Sequence, residues 1–109
     1  MSGSPSRGSQ PGWPEDDRTP CSELEFETHL SSPQADAIEG VHPGELLPVA
    51  IDTRDGVRKV AVYREGDIAG TITADRLPAL LRCLQQGQAF VAEVIRVDGG
   101  AIRIRVHTL

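Results

Sequence analysis

Apolar and polar residues alternate along much of the chain after residue 23, with the period of two that is typical of half-exposed β-strands. The even-numbered positions of the first such segment are Leu24, Phe26, Thr28 and Leu30. The odd-numbered positions beside them are Glu23, Glu25, Glu27 and His29. The pattern predicts a strand with one buried face and one acidic, exposed face, and the acidic face discourages pairing at an edge.

Three further strands are predicted in the middle of the chain, separated by turns that contain Gly and Asp. They are Leu46–Asp52, Arg58–Tyr63 and Ile68–Thr73. Because Pro48 has no backbone N–H, the strand that contains it is expected to lie at a sheet edge or to carry a bulge. Gly70 within a strand indicates a bulge or a close approach of another backbone.

One helix is predicted after these strands, because leucines recur at the spacing of a single helix face. They are Leu77, Leu80, Leu81 and Leu84. Pro78 suits the first turn of a helix, where a missing N–H matters least. Asp75 is expected to cap the N-terminus, and Gly87 is expected to end the helix in a left-handed conformation.

The final third predicts a β-hairpin with strands Ala89–Val97 and Ala101–His107 and a tight turn between them. Six short strands, with one helix before the C-terminal hairpin, indicate a mainly β fold, a small six-stranded barrel that is partly open. The start of the chain is rich in Ser, Gly and Pro, so we predict a disordered arm over residues 1–22 and one folded domain over residues 23–109. Trp13 in that arm is interpreted either as solvated or as docked on the domain or on a partner.

No apolar run is long enough for a secretory signal or a membrane span, so we expect a cytoplasmic protein without a membrane partner. The two cysteines, Cys21 and Cys83, match no metal-site or redox spacing. A disulfide between them is one alternative, but free thiols in a reducing cytosol are the favoured interpretation, with Cys83 buried in the helix. The histidines stand apart and no phosphate-loop or nucleophile motif occurs, so we expect no metal, no cofactor and no enzymatic activity.

Charge divides the chain into an acidic part and a basic part. Residues 1–52 hold ten acids and two bases, a net charge of −8, and residues 53–109 hold nine bases and six acids, a net charge of +3. Since the acidic part includes the predicted arm, the domain is expected to present a modest basic face. That face falls well short of the basic stripe of a duplex-DNA-binding protein.

Two groups of cations are candidates for binding a nucleic acid. The first is predicted on the outer face of the last hairpin and consists of Arg96, Arg103 and Arg105. Like charges on neighbouring strands repel, so either a polyanion binds there or, as the favoured alternative, these arginines pair with the glutamates of the first strand. The second group lies around Tyr63, whose ring offers a surface for stacking a base. Its members are Arg54, Arg58, Lys59 and Arg64.

Three stretches of the sequence carry a resemblance to a known family. They read VHPGELL at Val41–Leu47, VAVYREGDIAG at Val60–Gly70 and LPALLRCLQQGQAFVAEVIRVDGG at Leu77–Gly100. In order and spacing they resemble the HIRAN domain over residues 24–107. The resemblance implies an OB-like barrel of six strands, within the wider OB/SH3-like class. HIRAN domains occur fused to chromatin-remodelling helicases and nucleases, and also as free-standing bacterial proteins.

In helicase-associated HIRAN domains the barrel captures the 3′ end of single-stranded DNA. The resemblance places the corresponding groove at Arg54–Lys59, Ala69–Thr71 and Phe90 of this chain. The stretch Thr53–Lys59 reads TRDGVRK where the family has an Asn and an aromatic residue, and Thr71 stands where the family has a tyrosine. The binding that is implied for this chain is therefore weak and relies on cations.

Two functions are predicted on these grounds. The first is a non-enzymatic, HIRAN-like module that weakly binds single-stranded nucleic acid or its ends, as an accessory to a larger complex. The binding residues predicted for it are Arg54, Arg58, Lys59, Tyr63, Arg64, Thr71, Arg96, Arg103 and Arg105. The alternative is an acidic protein-interaction module, such as an adaptor, an inhibitor or an immunity-type protein, that binds a basic protein partner through residues 15–45.

Overall fold

The computed structural model describes residues 19–109 of the chain. Most of the predicted arm, including Trp13, lies outside the described residues. Cys21 and Ser22, which the sequence places at the end of that arm, belong to a short 3₁₀ helix, Cys21–Glu23. None of the described helices is both long and apolar enough to span a membrane.

Six antiparallel strands form one sheet that curls into a half-barrel. The strands are β1 (Phe26–His29), β2 (Leu46–Asp52), β3 (Lys59–Arg64), β4 (Asp67–Ile72), β5 (Phe90–Asp98) and β6 (Ala101–Thr108). A single helical turn, α1 (Ala35–Ile38), follows β1, and the longer helix α2 (Leu77–Gln85) lies between β4 and β5. The order across the sheet is β1-β6-β5-β2-β3-β4. The predicted mainly β, partly open barrel with a helix before the C-terminal hairpin is confirmed.

The two outer strands of the sheet meet where the chain leaves β1. Ser31 and Thr71 of β4 exchange backbone N–H···O hydrogen bonds of 2.8 Å in both directions. Gln34 donates its N–H to the carbonyl of Ala69 at 2.8 Å. The segment after β1 therefore covers part of the open edge of β4 and draws the half-barrel together.

The contact between the outer strands depends on Gly70 in β4. A Cβ atom added at this position would lie 2.5 Å from Cγ of Leu30 and 2.8 Å from the carbonyl oxygen of Ser31. The pairing of β3 with β4 also shifts here, between Val62 and Tyr63. The bulge and the close approach that the sequence gives as alternatives for Gly70 are both present.

The core lies inside the half-barrel and is built from alternate residues of the strands, as the period-two pattern predicts. Its largest fully buried side chains include Phe90, Leu24, Ile72, Leu80, Ile102 and Ile104. Helix α2 adds Ala79, Leu80 and Cys83 to the buried residues. The other three leucines of the predicted stripe are only partly buried, so the face of α2 that enters the core is narrower than the stripe.

The sequence predicts the end of α2 better than its start. Pro78 lies in the first turn, as expected. The helix begins one residue later than expected, so its N-cap is Arg76 and no side chain caps it. The prediction that Asp75 caps the helix is therefore wrong. Gly87 has a φ of 93° and donates its N–H to the carbonyl of Leu84 at 3.0 Å, which confirms the left-handed end.

Cys21 and Cys83 form a disulfide, so the prediction of free thiols is wrong. Their Cα atoms lie 5.6 Å apart, although 62 residues separate them in sequence. The 3₁₀ helix contacts α2, and this contact sets Cys21 beside Cys83, which is fully buried as predicted. Sequence spacing carries no information on this proximity, because it arises only when the sheet has curled.

β2 is an interior strand and its pairings with β3 and β5 show no register shift, so the expectation that Pro48 marks a sheet edge or a bulge is wrong. The pairing of β2 is staggered: residues 46–49 pair with β5 and residues 49–52 pair with β3. Pro48 therefore lies before the residues of β2 that pair with β3, so its missing N–H removes no hydrogen bond between β2 and β3.

Candidate binding surfaces

The outer face of β1, β6 and β5 carries a network of ion pairs. Arg105 lies opposite Glu27 on β1 and opposite Glu93 on β5, and it contacts their carboxylates at 2.9 Å and 3.5 Å. The Nε atom of Arg103 lies 3.3 Å from the same Glu27. The favoured alternative, pairing with the glutamates of the first strand, is confirmed for Arg103 and Arg105. Within residues 19–109, Arg96 forms no ion pair.

This pairing shifts the pKa values of its members. The hydrogen bond from Arg105, with a smaller effect of Arg103 in the same direction, holds the pKa of Glu27 below its ordinary value. In turn, the hydrogen bond to Glu27 raises the pKa of Arg105. More than a third of the Arg105 and Glu27 side chains is exposed, so their ion pair adds little to stability. The ion pairs of this face do engage two of the arginines that were predicted to bind nucleic acid, Arg105 through all three guanidinium nitrogens and Arg103 through Nε alone.

Cations around β3 are also engaged by carboxylates. The Nε atom of Arg54 lies 2.9 Å from Asp52, a residue that is only 6% exposed. The Nζ atom of Lys59 lies 3.0 Å from Asp55, and this hydrogen bond lowers the pKa of Asp55. Arg58 is exposed and, in the part of the chain that the structure describes, has no ion-pair partner.

Arg64 of β3 is enclosed, with a side chain that is 14% exposed. Its guanidinium group donates to both carboxylate oxygens of Glu45, at 2.8 Å and 3.2 Å. It also donates to the carbonyls of Ala37 and Glu39, at 3.1 Å and 2.8 Å. These four bonds fix the connection between α1 and β2 against β3, so the guanidinium group is already engaged within the protein.

The HPGE sequence at residues 42–45 positions Glu45 for this pair. Its Oε2 atom accepts the backbone N–H of His42 at 2.9 Å, which closes the turn. Gly44 has a φ of 99°, in the left-handed region that favours glycine. The hydrogen bond from Arg64, followed by the bond from His42, holds the pKa of Glu45 below its ordinary value.

We expect the Arg64–Glu45 pair to make stability depend on pH under acidic conditions. Because the pKa of Glu45 is lowered in the folded protein, its contribution is fully present above pH 4.5, the ordinary value, and is lost as the pH falls through the folded-state pKa. Glu45→Gln should therefore lower the urea midpoint at neutral pH and flatten its decline between about pH 5 and pH 3. Urea unfolding across this range measures the effect, with Glu39→Gln as the control. Parallel curves for Glu45→Gln and the wild type would contradict it.

A groove of about 720 Å³, here called the α1 groove, lies between the segment that contains α1 and strands β3 and β4. Its lining residues are Ser32, Gln34, Asp36, Ala37, Lys59, Asp67, Ile68, Gly70 and Thr71. Lys59 and Thr71 are the members of the predicted binding set that line it. Phe90, which the resemblance adds to the groove, is instead 2% exposed and belongs to the core.

The fixed charge of the α1 groove is negative. Asp36 and Asp67 line it, and neither forms an ion pair within residues 19–109. The one cation in its lining, Lys59, is held by Asp55 outside the groove lining. A cationic ligand would therefore meet two carboxylates that have no competing partner among the described residues.

Two more carboxylates without an ion-pair partner among the described residues lie close in sequence to Asp36 and Asp67. Glu39 directly follows α1, and Glu65 lies in the turn between β3 and β4. Asp36 and Asp67 share a groove because backbone hydrogen bonds join residues 31–34 to β4. The sequence alone does not show which segment pairs with β4, so it does not predict this groove. The acidic composition of residues 15–45 indicates an acidic surface that includes Asp36, but this segment does not include Asp67.

The nine predicted binding residues do not gather in one groove. Lys59 and Thr71 line the α1 groove, whereas Arg96 and Arg103 line a separate depression beside the last hairpin. Tyr63 is half-buried in β3. In residues 19–109, therefore, no single surface combines an exposed aromatic platform with several free cations, the arrangement that holds single strands.

Within the described residues, no three His, Cys, Asp or Glu side chains are grouped so that they could hold a metal ion. Comparison of the chain with protein-family models, with curated proteins and with solved structures gave no match. The resemblance to the HIRAN domain stays a prediction, and the chemistry of the surface is what bears on function.

Proposed function

We propose that this protein is an interaction module that binds a basic segment of a protein partner in the α1 groove. The distribution of ion pairs supports this most strongly. Carboxylates engage five of the seven cations in the predicted nucleic-acid-binding set. In contrast, Asp36 and Asp67 in the groove have no ion-pair partner among the described residues. An adaptor, an inhibitor or an immunity-type protein would act in this way.

The overall charge of the described residues favours the same kind of partner. Residues 19–109 hold thirteen Asp and Glu against nine Arg and Lys, a net charge of −4. The negative charge is therefore not confined to the predicted arm. A field of this sign attracts a basic segment and speeds its association, whereas it repels a nucleic acid.

The α1 groove offers two kinds of contact to such a segment. Asp36 and Asp67 present carboxylate oxygens that can accept charge-assisted hydrogen bonds from Lys or Arg. Ala37 and Ile68 are partly buried and present apolar surface to the methylene stems of those side chains. The groove therefore suits a segment in which basic residues alternate with small apolar ones.

Fluorescence anisotropy with a labelled peptide rich in Lys, Arg and Ala tests this proposal at low ionic strength. Replacing both carboxylates, Asp36→Asn with Asp67→Asn, should weaken binding about tenfold, since each exposed charge pair contributes roughly 0.7 kcal/mol. The matched control is Glu23→Gln with Asp75→Asn. It changes the net charge equally at two exposed carboxylates that have no ion pair in residues 19–109.

The control should bind the peptide nearly as the wild type does. Equal weakening in both double variants would mean that only net charge matters and would reject the α1 groove as the site. Tighter binding of a short single-stranded oligonucleotide than of the peptide would reject the proposed class of partner.

Weak binding of single-stranded nucleic acid is the second candidate function. It is favoured by Arg58 and Arg96, which are exposed and lack an ion pair within the described residues. If these residues bind phosphates, replacing either with Ala should lower the affinity for the oligonucleotide and reduce its salt dependence. Unchanged binding would exclude them as contacts.

A further inference from the structure

Beside the last hairpin, β1, β6 and β5 bring three nitrogen-bearing side chains into a line. His29 on β1 lies opposite Arg103 on β6, and Arg103 lies opposite Arg96 on β5. Residues directly opposite each other in an antiparallel sheet have Cβ atoms about 5 Å apart. We call these three residues the cationic row. All of them line one depression of about 350 Å³.

Arg96 belongs to the cationic row only because β5 contains a bulge. The even-numbered residues of β5 from Phe90 to Val94 are buried, so strict alternation would turn Arg96 toward the core. The pairing of β5 with β6 shifts after Val94, which leaves Ile95 as an extra residue. Arg96 is exposed as a result and faces Arg103. Bulges are enriched beside functional sites, where they re-aim a side chain.

The cationic row has hydrogen-bond donors that the protein does not use. Within residues 19–109, Arg96 has no side-chain hydrogen bond, and Arg103 uses only Nε, in its bond to Glu27. Two guanidinium groups directly opposite each other repel. An anion between them would replace this repulsion with charge-assisted hydrogen bonds, and the imidazole of His29 can donate a further N–H.

The charges around the row determine what the depression can hold. In the neighbouring line, Arg105 pairs with Glu27 and Glu93, and Glu27 also pairs with Arg103 of the row. Asp98, two residues after Arg96 on β5, is the carboxylate that lines the depression. Its negative charge opposes an anion, so removing it should strengthen binding while leaving the cationic row in place.

We propose that the cationic row binds an oxyanion of the phosphate class, either inorganic phosphate or the phosphate group of a larger molecule. Guanidinium groups hold phosphate oxygens two at a time, and two of them with an imidazole match the oxygens of one phosphate. The row shares no residue with the α1 groove. A test of this site is therefore independent of a test of the protein partner proposed above.

NMR titrations of the isotope-labelled protein with sodium phosphate and with O-phosphoserine test the site, at an ionic strength held constant with sodium chloride. Amide signals of the three strands should shift and saturate. Arg96→Ala should weaken binding about tenfold through the loss of one set of charge-assisted hydrogen bonds, and Asp98→Asn should strengthen it about threefold. Asp75→Asn is the matched control for the charge change, because Asp75 is also exposed and has no ion pair in the described residues but lines a different depression.

Arg96→Ala and Asp98→Asn are expected to move the affinity in opposite directions, which a loss of folding cannot imitate. Tighter binding of O-phosphoserine than of inorganic phosphate would identify a phosphorylated molecule as the ligand, and the reverse order would identify free phosphate. Shifts that do not saturate, or an affinity that is equal in the wild type and Arg96→Ala, would overturn the proposal.

Discussion

Removing the Cys21–Cys83 disulfide should lower the free energy of unfolding by about 4 kcal/mol, the largest effect that we expect of any change in this protein. The bond joins residues that are 62 positions apart. In the unfolded chain it closes a long loop and so removes much of the conformational entropy that favours unfolding. For a domain of this size the melting temperature should fall by roughly 15–30 °C.

Thermal unfolding with and without a reductant measures this effect, beside the double variant Cys21→Ser with Cys83→Ala. Alanine suits position 83 because the residue is fully buried, and serine suits position 21 because the residue is partly exposed. The double variant should not respond to the reductant, which separates loss of the cross-link from other effects of reduction. Equal melting temperatures for the oxidised and fully reduced wild type would refute the expectation.

Gly70→Ala should cost about 2–3 kcal/mol of stability, the second largest effect. The new methyl group would lie 2.5 Å from Cγ of Leu30 and 2.8 Å from the carbonyl oxygen of Ser31. The first atom is the branch point of a buried side chain and the second belongs to the backbone. The carbonyl oxygen accepts the N–H of Thr71, so displacing it pulls Ser31 away from Thr71 and the two outer strands should lose their direct contact.

The matched control for this change is Gly100→Ala. Nothing lies within 4 Å of a Cβ atom at Gly100, and its φ lies outside the left-handed region. That variant should change stability by less than about 0.5 kcal/mol. Hydrogen exchange at the amides of Ser31 and Thr71, which form the bridge, should be faster in Gly70→Ala. Wild-type stability and exchange in Gly70→Ala would contradict the role assigned to this glycine.

Most of the fold can be predicted from the sequence because its signals are local. The predicted and observed bounds of β2 agree, Leu46–Asp52, and those of β5 and β6 differ by one residue. The alternation of apolar and polar residues along a strand indicates which face is buried, and Gly and Asp between strands indicate turns. None of these signals requires knowledge of which strands are neighbours.

The candidate sites are predicted less well because they depend on which strands are neighbours. The charged residues of the last hairpin could be named from the sequence, but their partner Glu27 follows from the pairing of β1 with β6. Arg64 looks like a surface cation until α1 and Glu45 are placed against it. The disulfide is missed for the same reason, since its two halves meet only in the closed fold.

Both ends of the part that the structure describes are attached to one short stretch of chain, residues 83–89. Cys21 is bonded to Cys83, and Leu109 donates its N–H to the carbonyl of Ala89 at 3.3 Å. A flexible linker can therefore join the two ends, and the ring can be reopened at Glu65–Gly66 to give a circular permutant. Its new termini would emerge from the β3–β4 turn, so a basic peptide fused there would face the α1 groove at a high effective concentration.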